Sequence, residues 1–301
     1  MKHWAVWIMQ ARHRQVLMIA ALFLLPLFRV VSVGVAVAVV VALGAMGALP
    51  TLIAGFGIVL AAGLLSPVDP GGVVLYVGLF AGAGLLIGEL LRGTQSMTLT
   101  IQVTVLLAMA GALAFQLSIG DSAAFWVPRL NEMVQMLVER GAISGQLDAQ
   151  TLATLVEINA PLATGLFAAS QWYFAVLALV IGYYLFDHGV DASKLRFGRF
   201  RELNLGRVLA ALMVLLAVGA ALTGSMLLTN LAIILLLAFG LQGFAMLHWA
   251  KYRFAWPVAA LVVCYAAVIL VQPYGVLLIC VAGYVDAWFN LIRGRHDNAA
   301  S

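Results

Sequence analysis

Few side chains in this sequence can do chemistry, and the most informative of them stand in its last apolar stretch. Asp286, Asn290 and Arg293 are separated by four and seven residues, steps close to whole helical turns, so a carboxylate, an amide and a guanidinium line one helix face. Facing a cavity, such a stripe could hold the polar groups of a solute or a proton; facing neighbouring helices, it would act as hydrogen-bonding glue. Gln102, Gln116, Gln171, Asn230 and Gln242 are amides in other apolar stretches, able either to orient a ligand or to bond helix to helix. Trp172, beside Gln171, offers a flat apolar wall. Asp286, Asn290, Gln242, Gln171 and Trp172 are therefore the expected contacts of a small-molecule solute.

Other polar groups point to structure rather than reaction. Glu89 and Arg92 are three apart, the spacing of an ion pair on one helix face. Arg29 interrupts an apolar run, either to hold an anionic group or to snorkel at a helix end. Asp187, His188 and Asp191 could do acid–base or metal work, or simply form a solvated helix terminus. Paired metal-ligand histidines, a phosphate-binding loop, a nucleophile elbow and a Cys-x-x-Cys pair are all missing from the sequence. No catalytic residue, metal or cofactor is expected, and Cys264 and Cys280, both inside apolar runs, read as packing residues.

The elements that must position these groups follow from composition. With 64% hydrophobic and 9% charged residues and a mean hydropathy of +1.08, a water-soluble globule is excluded. Apolar runs approach 20 residues, about the length a helix needs to cross the roughly 30 Å hydrocarbon layer, and they lack the period-two alternation of barrel strands. The expectation is an all-α, polytopic transmembrane bundle of about eight to ten spans, one integral membrane domain over residues 1–301. Lys2, Arg12 and Arg14 ahead of the apolar run from Val16 read as an uncleaved signal anchor. The region from Val16 to Leu65, broken by Pro26, Arg29 and Pro50, fits three short crossings, or one. Residues 120–159 hold more acidic than basic residues, with Val127, Leu130, Val134, Leu137 and Val138 at helical spacing, and read as an amphipathic insertion on the outer face. Residues 187–207 form a basic cytoplasmic loop.

Lys and Arg recur in loops separated by even numbers of spans, which places both termini in the cytoplasm. The same rule accounts for the net charge of +4, so nucleic acid is not the expected partner. Lys194, Arg196, Arg199 and Arg201, interleaved with Phe197 and Phe200, are expected to meet anionic lipid headgroups. Gly78 with Gly82 and Gly84 with Gly88 make two small-residue ridges on different faces of one helix, which should be central; Gly34, Ala38 and Ala42 make another, open to an internal neighbour or a separate membrane protein.

With the spans placed, the chain resembles the YybS-like family of bacterial membrane proteins, a domain of unknown function. The residues that carry the resemblance are Gly240, Leu241, Gln242 and Gly243 with His248, and Gly283, Asp286, Ala287 and Trp288 with Arg293. That family is similar in fold to the substrate-binding membrane subunits of energy-coupling-factor vitamin transporters. The resemblance implies a solute-binding bundle without its own ATPase, and a partner-docking role for the positions Ala38 and Ala42. The rival expectation is a non-transporting scaffold or assembly protein.

Overall fold

A computed structural model of the chain describes residues 2–67, 69–141, 149–190 and 197–290, and these form helices joined by short turns, with no strand among them. The helices are α1 (Lys2–Met9), α2 (Arg12–Leu24), α3 (Arg29–Leu64), α4 (Pro70–Thr94), α5 (Met97–Ile119), α6 (Ser122–Glu139), α7 (Ala149–Asn159), α8 (Ala163–Gly189), α9 (Gly206–Thr223), α10 (Met226–Arg253), α11 (Val258–Leu270) and α12 (Tyr274–Phe289). Among the described residues, six helical stretches are long and apolar enough to cross a membrane, and the pair α11 and α12, bent by 118°, makes up to seven. Closing every backbone bond inside its own segment is what lets a chain sit in hydrocarbon. The protein is a multi-pass integral membrane protein.

The chain divides into two compact units. The first comprises Met1–Thr104 and Trp172–Phe200. Its centre is the first limb of α3, where Ser32 to Val41 are buried without interruption. As one straight rod the 39-residue stretch Pro26–Leu64 would measure about 58 Å, near twice the hydrocarbon thickness. It is not straight. Gly44 takes φ 73° and ψ 166°, outside the helical region. The Ser32 hydroxyl donates to the Ile19 carbonyl at 2.7 Å, and Gly55 also packs on the Ile19 side chain, so α3 doubles back at Gly44. The Val16–Leu65 region is thus three antiparallel rods: α2, residues 29–43 and residues 45–64.

The two ends exposed by this break are capped by α4. Glu89 accepts from the Ala45 N–H at the start of the second limb, and the Arg92 guanidinium donates to the Val41 carbonyl at the end of the first, over 3.3 Å. Each charge complements the partial charge of the helix end it meets. The expected Glu89–Arg92 pair is replaced by these two caps, since each side chain meets a helix end whose free N–H or C=O group carries the opposite partial charge.

Small residues set the packing of this unit. A side chain on Gly84 would meet Ala36, and one on Gly88 would meet Val40; Gly34 lies against Ile181 and Gly182 against Val37. Ala38 is fully buried and Ala42 partly exposed. Gly78 and Gly82 have nothing within 4 Å of where a Cβ would be. The helix enclosed on all sides is therefore the first limb of α3 rather than α4, consistent with a run of valine and alanine that is equally apolar in every direction. Phe197 is buried against Tyr183 and Phe186, and its carbonyl accepts from the Met97 N–H at 2.7 Å.

The second unit comprises Val105–Gln171 and Arg201–Ser301. Within residues 120–159 the described helices are α6 and α7. Asp121 caps α6 by accepting from Ala123 and Ala124, while Ser122 and Trp126 both bond the Thr164 hydroxyl at 2.9 Å and pin α6 to the start of α8. Met133, Met136 and Val138 remain exposed along α6.

Candidate functional site

The site is built where α10 and α12 come closest. Gly243 and Gly283 face each other's helices so tightly that a Cβ on Gly283 would strike the Phe239 carbonyl and one on Gly243 the Ile279 carbonyl. This close approach puts Gln242, next to Gly243, beside Asp286, one turn after Gly283, and both are shut off from solvent, Asp286 at 1% exposure. Gln242 Nε2 donates to Asp286 Oδ2 at 2.7 Å, and Gln242 Oε1 accepts from the Leu205 N–H at 2.8 Å. A backbone N–H can only donate, so Leu205 fixes which way the Gln242 amide points and obliges Asp286 Oδ2 to act as acceptor.

A second layer of bonds surrounds this pair. Asn204 Nδ2 donates to Asn290 Oδ1 at 2.7 Å, the Gly206 N–H donates to Asn204 Oδ1 at 2.7 Å, and Arg207 Nε donates to the Trp288 carbonyl at 3.1 Å. The segment before α9 is thereby fastened to the C-terminal end of α12. Asn290 closes α12 in the left-handed conformation at φ 47°, its N–H returning to the Asp286 carbonyl at 2.8 Å. Asparagine is one of the few residues that adopts this geometry readily. The helix consequently ends at Phe289, so Asn290 leaves the face that Asp286 occupies, and Arg293 lies outside the described residues.

The structure brings Asp286, Gln242 and Asn290 into one cluster and leaves two expected contacts elsewhere. Gln171 is exposed and bonds only the neighbouring Ser170, at 3.5 Å. Trp172 belongs to the first unit, where it is buried and donates to the Thr104 hydroxyl at 3.1 Å. Sequence reasoning missed Asn204 and Leu205. The signal was present as Asn-x-Gly ahead of an apolar run, a pattern whose side chain folds back on its own backbone; here Gly206 takes φ 80°.

Two other polar centres share the second unit. Asn230 is fully buried; it accepts from the Gly165 N–H at 2.8 Å and donates to the Pro161 and Met226 carbonyls, both at 2.9 Å. Its amide stands in for helix bonds lost around the 3-10 turn Ala160–Leu162, with Gln116 a further acceptor at 3.4 Å. His248 meets the Tyr265 hydroxyl at 2.9 Å, and Phe244 stacks on Tyr265. In the first unit His188 stacks on Tyr184 and bonds its carbonyl at 3.0 Å, with Asp187 3.6 Å away at a half-exposed helix end; Asp191 falls outside the described residues. Arg29 donates to the Tyr76 hydroxyl at 2.7 Å and lies over the Phe23 and Tyr76 rings.

No group of three or more His, Cys, Asp or Glu side chains suited to a metal ion occurs among the described residues. Lys194 and Arg196 fall outside the described residues; Arg199 is exposed, and the Arg201 guanidinium sits 3.4 Å from the centre of the Tyr252 ring. No family profile, curated protein or solved structure matches the chain.

Proposed function

We propose that this membrane protein binds a small solute and acts as a solute-binding or transport component without its own ATPase, with the Asp286–Gln242 cluster as the polar anchor. The observation that carries this reading is a carboxylate at 1% exposure within an apolar bundle. Charge placed there costs about 2.5–3.5 kcal/mol on insertion scales and is characteristic of substrate, ion or proton pathways. Binding at the cluster is an exchange of bonds. Gln242 already uses its oxygen and its amino group, and Asn290 accepts from Asn204, so a solute engages them by taking the place of the segment before α9. Release of residues 204–206 and entry of the solute are then one event.

The setting of this function is a bacterial inner membrane, with about eight to ten crossings once α2, the two limbs of α3 and the bent pair α11 and α12 are counted beside the long apolar helices, both termini in the cytoplasm and α6 and α7 on the outer face. The resemblance to the YybS-like family and, through it, to energy-coupling-factor substrate-binding subunits supports the same reading. A non-transporting scaffold is the second reading, favoured by the open small-residue face at Gly78 and Gly82, which a partner helix could approach closely. Native mass spectrometry of the full chain released from its own lipids separates the two. The proposal expects a small molecule retained by the wild type and lost in Asp286→Asn; a wild type that carries a protein partner and no solute would sink it.

A further inference from the structure

Two buried polar atoms in the first unit have no hydrogen-bond partner: Gln15 Oε1 on α2 and Thr51 Oγ1 in the second limb of α3. Both residues are at least nine-tenths buried, with Gln15 at 5% exposure and Thr51 at 2%. Their positions are related. Ile19 packs on Gly55, and because α3 doubles back at Gly44 its second limb runs parallel to α2. Gln15 and Thr51 each lie four residues before that contact, so both fall one turn below it on the same interface. The orientation of Gln15 is fixed, since its Nε2 donates to the Met9 carbonyl at 3.2 Å and its Oε1 must point the other way.

We propose that one ordered water molecule is bound between Gln15 and Thr51. Leaving two oxygens unsatisfied in a low-dielectric interior is unfavourable for each of them. No hydrogen bond joins the two residues directly, and one water on their shared interface would satisfy both. A water needs two to four polar partners, and these oxygens supply two: the water donates one hydrogen to Gln15 Oε1 and exchanges a second bond with the Thr51 hydroxyl, which can give or take. Two neutral oxygens make a poor shell for a hard metal cation, which takes about six. The bridge joins three pieces of chain, because Gln15 also holds the end of α1 through Met9.

Two measurements on the full chain test the bridge. In bilayers, with threonine labelled, water-edited solid-state NMR should show rapid polarisation transfer from water to Thr51, abolished in Gln15→Leu. In mixed micelles, Thr51→Val should raise the unfolding constant about tenfold in the wild type and about twofold or less in the Gln15→Leu background, as expected when both residues serve one hydrogen-bonded unit. Absence of transfer in the wild type, or equal effects of Thr51→Val in both backgrounds, overturns the proposal; so does stabilisation by Na+ or K+ over a bulky organic cation that disappears in Thr51→Val.

Discussion

Replacing Gln242 by methionine keeps the length and most of the volume of the side chain while removing the amide on which α10, α12 and the segment before α9 converge. Two losses follow. The bond from Nε2 to the Asp286 carboxylate spans 2.7 Å, and hydrogen bonds to charged groups contribute about 1.5–3 kcal/mol. The Leu205 N–H, which donates to Oε1 at 2.8 Å, loses its acceptor in a buried setting, a penalty of about 1–3 kcal/mol. Together they weaken the fold by about 2.5–6 kcal/mol, a change in the unfolding constant of between about sixtyfold and about twenty-thousandfold at 1.4 kcal/mol per decade. The double variant Gln242→Met with Asp286→Leu removes the shared bond only once and leaves no carboxylate facing methionine. Its loss should fall short of the sum of the single losses by about 1.5–3 kcal/mol. Equilibrium unfolding of the full chain in mixed micelles titrated with dodecyl sulfate, followed by far-ultraviolet circular dichroism, reads all four species. A loss under about 1 kcal/mol for Gln242→Met, or single losses that add to within about 0.5 kcal/mol, would refute the bonding scheme.

Three further outcomes are expected. Gly283→Ala drives a methyl into the Phe239 carbonyl, which backbone cannot yield to, and should destabilise by about 1–3 kcal/mol as an overpacking change; Gly78→Ala and Gly82→Ala, with open space at the Cβ, should be neutral or stabilise by up to about 1 kcal/mol in the same unfolding titration. Glu89→Ala should cost about 1–2 kcal/mol by uncapping the second limb of α3, with Glu89→Gln recovering part of it as a neutral acceptor; equal losses for the two variants would argue against the cap. Impermeant thiol labelling of intact cells, on a cysteine-free background with single cysteines near each terminus and at Ser144, should modify Ser144→Cys alone, and labelling of either terminus would overturn the proposed orientation.

Composition made the helical membrane architecture legible, because stretches that apolar have no other way to satisfy their backbone. Gln242 and Asp286 were legible for the converse reason: a polar group placed among apolar residues must find a partner, and these two found each other. The doubling back of α3 was not. Its sequence reads VALGAMGALP without a polar turn, and Pro50 invites the break, yet the helix continues through Pro50 and turns at Gly44. What holds that turn closed is Glu89 and Arg92, more than 40 residues away, and local pattern contains no trace of a cap supplied from another helix. Trp172 shows the same limit in reverse. Its type suits a ligand wall, but its indole N–H is used by Thr104, 68 positions earlier. Residue type and spacing therefore identify which groups in an apolar chain require partners, while the choice of partner is set by how the helices meet. At the candidate site that meeting depends on two glycines: remove the close approach of Gly243 and Gly283, and Gln242 and Asp286 would each need a different answer to the same desolvation problem.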